Sequence, residues 1–167
     1  AYGLALEKQH PWFAGELAYW QWKAGGLDNP PDWIAEPYAR QIGGDPTAAS
    51  AFWDARGCRY EAARSLAEID NEEALHEALD IFEDLGARWE LGDAYGERGI
   101  CKRELGRYDE AEKDLKKATR LSEELGERQL ASWTWRALAE VSERRGDHAE
   151  AEQRRRRSRE AEERGPR

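Results

Sequence analysis

Methionine is absent from the 167 residues, and cysteine occurs only twice, at Cys58 and Cys101. Two cysteines cannot build a disulfide scaffold or a four-ligand zinc site, and so few of them fit a reducing cytoplasm. Proline is missing between Thr47 and Gly165. No apolar run approaches the roughly 18–20 residues that cross a bilayer, so no membrane association is expected. No basic segment followed by an apolar one opens the chain as a signal peptide would. Alternating β-branched residues between turn residues, the signature of strands, are not found either. Basic charge is in the minority, with 26 Lys and Arg against 35 Asp and Glu and a net charge of -9. That balance argues against direct nucleic-acid binding, whose affinity comes from Lys and Arg meeting phosphates.

What is present points to packed helices. Mean hydropathy is -0.98, yet 40% of residues are hydrophobic and eight are Trp. Disordered chains lack such residues, so the mixture predicts amphipathic helices. With no initiator Met, the opening Ala1-Tyr2-Gly3-Leu4-Ala5-Leu6 reads as the tail of a helix already under way. The expectation is a stretch of a longer polypeptide; a processed N-terminus is the alternative.

Chemistry differs along the chain. Residues 1–60 hold five of the eight Trp and five of the six Pro, while 61–167 are rich in Ala, Glu, Arg and Leu broken by Gly. His10-Pro11 starts a helix, with Pro where its missing N–H costs nothing, and Gly25-Gly26 ends it. A short helix runs to about Ile42. Further helices are expected over about 46–56, 59–68, 71–85, 88–105, 107–125, 128–145 and 147–164, with Gly stops. The prediction is all-α, with about 8–10 helices.

A repeat is visible. Gly86 to Gly126 and Gly106 to Gly146 are both 40 residues. Gly106-Arg107-Tyr108-Asp109-Glu110-Ala111 aligns with Gly146-Asp147-His148-Ala149-Glu150-Ala151, and segments around Ala49 and Ala74 look like weaker copies. Such a period means helical hairpins stacked as an α-solenoid. A small residue early in the second helix of each hairpin lets the two helices approach. Leu115, Ala118, Leu121 and Leu125 continue one stripe, and Ala131, Trp135, Leu138 and Val141 another. The expected organisation is 1–86, Trp-rich degenerate repeats, and 87–167, two regular repeats closed by a polar capping helix, in one continuous solenoid.

Trp135-x2-Leu138-Ala139 followed by Gly146 and Ala151 resembles the tetratricopeptide repeat. Arg98, Lys102 and Ser142 depart from it, since the family has large or apolar residues there. Trp89, Leu91, Ile100 and Leu105 are expected to supply the first helix's apolar face instead, and Val141 to fill the space left at Ser142. Three other segments resemble the helical repeat region of large bacterial LuxR-type ATP-binding transcriptional regulators. They are His10 to Trp20, Glu36 to Asp45 and Glu73 to Ala87. That resemblance implies that an ATPase and a DNA-reading helix lie outside this chain.

No active site is apparent. His10, His76 and His148 are scattered, and solvated or capping roles account for them. Cys58 and Cys101 read as small buried hydrophobes. No nucleophile has a base, no metal-ligand spacing occurs, and no cofactor is implied. The run Arg154 to Arg157 reads as a polar capping helix rather than a phosphate strip. Its acids lie at i,i+4, in the pairs Glu150–Arg154, Glu152–Arg156, Arg156–Glu160 and Arg159–Glu163.

The function expected is therefore a non-catalytic module that binds a protein or peptide partner. By the family resemblance, a concave groove would include Asp93, Gly96, Ile100, Arg103 and Glu104 from one repeat. The next repeat would add Trp133, Arg136, Glu140, Glu143 and Arg144. Trp133 would be an apolar anchor, with Arg103 and Arg136 meeting a carboxylate. The alternative is a sensor for a small-molecule inducer, using the N-terminal aromatics. Trp12, Phe13, Tyr19, Trp20 and Trp22 spread over about half a helix circumference, wider than one core stripe. A partner surface is the other use for them.

Overall fold

A computed structural model describes residues 1–163; Arg164, the last residue of the expected final helix, and residues 165–167 lie outside that range. Every regular element among the described residues is an α-helix. They form two compact units, the first covering 1–69 and the second beginning at Asp70.

The first unit holds α1 (Tyr2–Glu7), α2 (Pro11–Lys23), α3 (Glu36–Ile42), α4 (Pro46–Asp54) and α5 (Arg59–Leu66). Pro opens α2 and α4. His10 Nδ1 accepts from Phe13 N at 3.4 Å, and Asp45 Oδ1 from Ala48 N at 3.0 Å. Each satisfies one of the amides that a helix start leaves unpaired. On α2 the buried residues are small, Ala14, Gly15 and Ala18, with Tyr19 beside them. A Cβ on Gly15 would stand 2.6 Å from Tyr38 Cδ2, so the ring needs that glycine.

The second unit holds α6 (Glu72–Leu85), α7 (Arg88–Glu104), α8 (Tyr108–Leu125), α9 (Arg128–Arg145) and α10 (His148–Glu163). Each packs on the next, as stacked hairpins do. Gly86, Gly106, Gly126 and Gly146 all adopt positive φ, from 67° to 84°. This left-handed geometry closes each helix and suits residues without a Cβ. The marker alanines Ala49, Ala74, Ala111 and Ala151 are all buried.

Details of the stripes change. Leu115 and Ala118 are buried, but Leu121 is half-buried and Leu125 exposed. Trp89 and Leu105, expected on the apolar face of α7, are exposed too. The buried face of α7 is instead Gly92, Ala94, Tyr95, Gly96, Gly99 and Lys102. Glycine lets neighbouring helices come so close that large apolar residues have no room: a Cβ on Gly99 would sit 2.7 Å from Leu115 Cγ. Val141 and Ser142 are both buried, and the Ser142 hydroxyl donates to Leu138 O at 3.4 Å.

Candidate functional site

The departures at Arg98 and Lys102 have a physical answer in Asp114. This aspartate is 3% exposed. It accepts from Arg98 Nε at 2.8 Å, Arg98 Nη2 at 3.1 Å and Lys102 Nζ at 2.8 Å. Burial raises its carboxyl's pKa, and the hydrogen bonds from Arg98 and Lys102 outweigh that and hold it below the ordinary range. Arg98 and Lys102 thus stand where the family has apolar side chains, with Asp114 as their shared acceptor. A buried charge is tolerated only when paired in this way. The signal in sequence was Asp114 itself, three residues past the marker Ala111.

Forty residues on, the equivalent position is Arg154, also buried. Its guanidinium donates to Leu138 O at 3.0 Å and to Glu112 and Glu150. Arg145 and Lys116 also bind Glu112. Burial raises the Glu112 carboxyl, and hydrogen bonds from Arg154, Lys116 and Arg145 prevail, leaving its pKa at about 2. Of the four i,i+4 pairs expected on α10, Glu150–Arg154 forms. Glu152 pairs instead with Arg155 and Arg159, and Glu160 with Arg157.

The groove residues fall on the first helices α7 and α9. Trp133 lies against Gly96, where a Cβ would overlap its ring. Arg103 is bound to Glu104 and to Glu140 across the two helices, and Arg144 reaches Glu104 at 3.7 Å. Glu143 pairs with His148 at 2.7 Å and with Arg155 at 2.8 Å. Ile100 is half-buried against Leu115, Leu138 and their neighbours, and Asp93 is half-buried with a partner of its own. Arg136 is exposed and has no ion-pair partner among the described residues. The face therefore joins α7 to α9 through matched charges and leaves Arg136 over.

The aromatics of α2 divide between core and surface. Tyr19 is buried, and its hydroxyl donates to Glu68, which also accepts from Gln41 Nε2 at 3.1 Å and pairs with Lys23 at 3.1 Å. Burial and that bond to Glu68 push the Tyr19 phenol upward. Trp22 is half-buried, while Trp12, Phe13 and Trp20 are exposed. Trp12 contacts Tyr38, Phe52 and Trp53, with ring centroids 5.7–6.5 Å apart. Arg64 stacks 4.7 Å from the Trp20 ring.

The cysteines are half-exposed rather than buried. Cys101 donates to Asp70 Oδ1 at 3.3 Å, and burial with that contact lifts its thiol to about 11, away from nucleophile chemistry. Among the described residues no group of three or more His, Cys, Asp or Glu could hold a metal ion. No described helix is long and apolar enough to cross a membrane. Sequence reasoning missed a pair of clefts of about 360 and 330 Å³ that share Glu123, Trp135 and Arg157.

Residues 90–164 match the tetratricopeptide repeat family, so a repeat region of that type is present. No curated protein matches the chain. Nothing in the repeat match extends to LuxR-type regulators. Stacked hairpins of this type make a helical repeat module.

Proposed function

We propose that the repeat unit docks a protein or peptide partner on the face of α7 and α9, with Arg136 receiving a carboxylate beside Trp133. One observation carries this reading. The neighbouring cations Arg103 and Arg144 are neutralised within the face, whereas Arg136 is exposed and unmatched among the described residues. A guanidinium left over beside a half-buried indole is the pairing that interfaces favour. Peptides selected on the chain from a random display library should bind Arg136→Glu about tenfold more weakly, a loss typical of one such contact. Helicity by circular dichroism should stay unchanged. Equal affinity with equal helicity removes this face from consideration. Trp133→Ala is the poorer probe, because the ring fills the space over Gly96 and its loss perturbs packing.

The wider reading is that the chain forms the helical repeat region of a bacterial LuxR-type transcriptional regulator working in the cytoplasm. Its support is the likeness of residues 10–20, 36–45 and 73–87 to such regulators. Antibody against the chain tests this on a blot of the source lysate. A band several-fold above 19.1 kDa supports it, and a band near that mass rejects it.

A further inference from the structure

We infer that the groove over Trp135, between α8 and α10, is a second docking site. Its ligand is an extended acidic peptide segment that lays an apolar side chain on the indole and turns a carboxylate toward Lys116 and Arg120.

The 40-residue repeat sets this groove beside its own predecessor. Tyr95 is equivalent to Trp135, and Glu83 to Glu123. Tyr95 Oη donates to Glu83 Oε1 at 2.6 Å, and Trp135 Nε1 donates to Glu123 Oε1 at 2.9 Å. The same ring position is thus anchored in the same way twice. What surrounds the ring differs. In the earlier copy Arg98 spans from Asp114 at 2.8 Å to His76 Nδ1 at 3.0 Å, and Lys117 Nζ stands 4.4 Å from the Tyr95 ring centre. Tyr95 is buried as a result.

In the later copy the residue equivalent to Arg98 is Leu138, too short to cross. The equivalent of Lys117 is Arg157, which stays exposed and lies 3.7 Å from Glu160. The groove is left open, as the two clefts that share Trp135.

Charge changes with shape. His76 and Asp80 of the earlier copy are replaced by Lys116 and Arg120. The acids at this end are already engaged, Glu150 by Arg154 and Glu123 by Trp135. Both cations are exposed: Lys116 pairs with half-buried Glu112 at 3.0 Å and Arg120 with exposed Glu124 at 3.8 Å. An exposed pair holds weakly, so an incoming carboxylate displaces Arg120 from Glu124 readily. Glu112 keeps Arg145 and Arg154 when Lys116 turns away.

From Lys116 to Leu125 the α8 wall is about 13.5 Å long at 1.5 Å per residue. That length fits about four residues of extended peptide. Trp133 and Trp135, two positions apart on α9, point about 160° apart. The groove therefore stands independently of the α7–α9 face.

The test is fluorescence anisotropy on the full chain, with a fluorescein-labelled four-residue probe carrying leucine between aspartates. Saturable binding that weakens with salt is expected. Lys116→Glu with Arg120→Glu should weaken it at least about tenfold, as loss of matched charge does at interfaces. Arg136→Glu should leave it within about twofold, since that residue lies on the other face. Should the double variant lose helicity, Arg120→Glu alone serves, with about a threefold loss expected. No saturable binding, or equal binding by the charge-reversed variant, overturns the proposal. So does loss of binding in Arg136→Glu, which would move the probe to the α7–α9 face. An all-aspartate probe or an oligonucleotide of equal charge binding as tightly would also overturn it, by removing the apolar contact or the peptide.

Discussion

Replacing Asp114 by Asn would leave Arg98 without its carboxylate partner and buried Lys102 with only Glu72, at 3.7 Å. Removing one partner of a buried ion pair costs about 3–5 kcal/mol, so urea unfolding of Asp114→Asn should show a midpoint well below that of the parent chain. An unchanged midpoint would mean that the network adds nothing to stability. Gly96→Ala acts through shape instead. Its methyl meets the Trp133 ring, and overpacking of this kind costs about 1–3 kcal/mol, readable in the same experiment. Acid should reach the charged sites as well. The Glu112 and Asp114 carboxyls are both held low in the folded chain. Their stabilisation is complete above the unfolded carboxylate range, near about 4, and disappears as pH falls through the folded values. For Glu112 that value is about 2. The urea midpoint should therefore decline below about pH 4 and less steeply in Glu112→Gln, whose replaced side chain no longer titrates.

Helix ends were legible because they depend on local chemistry. A Gly that must adopt positive φ, a Pro at a helix start and an Asn cap each act within a few residues. Asn71 shows this: its Oδ1 accepts from Ala74 N at 2.8 Å at the start of α6. Asn71→Ala should lower stability by about 1 kcal/mol, seen as a lower thermal midpoint. Faces were less legible. Trp89 and Leu105 have the right residue types for a core stripe, but the glycines of α7 bring α8 and α9 too near to admit them. On α10 the arginines read as a polar capping helix paired with acids at i,i+4. Arg154 is buried nonetheless, because Leu138 O and Glu112 await it on other helices.

The second unit has its own core, in which Ala111, Leu115, Ala137, Leu138 and Val141 pack together. A chain beginning at Asp70 is expected to keep its helicity and to melt cooperatively, which far-UV circular dichroism checks. A gradual, non-cooperative loss would show that the repeats need residues 1–69. The candidate docking residues were only partly readable beforehand. Arg103 and Arg136 look alike in sequence, yet Arg103 is tied to Glu104 and Glu140 while Arg136 is unmatched among the described residues. Trp133 and Trp135 are two positions apart, and opposite sides of one helix give them different surroundings.

Composition and periodicity were enough for the helical class, the helix boundaries and the 40-residue repeat. Those properties rest on backbone preferences and on interactions a few residues apart. The partners of each charge, the exposure of each aromatic ring and the openness of the groove over Trp135 depend on residues some 12 to 42 positions away. Such contacts exist only once helices are stacked. Close approach at glycine and the energetic demand that every buried charge find a counterpart then decide which side chains remain free to meet another molecule.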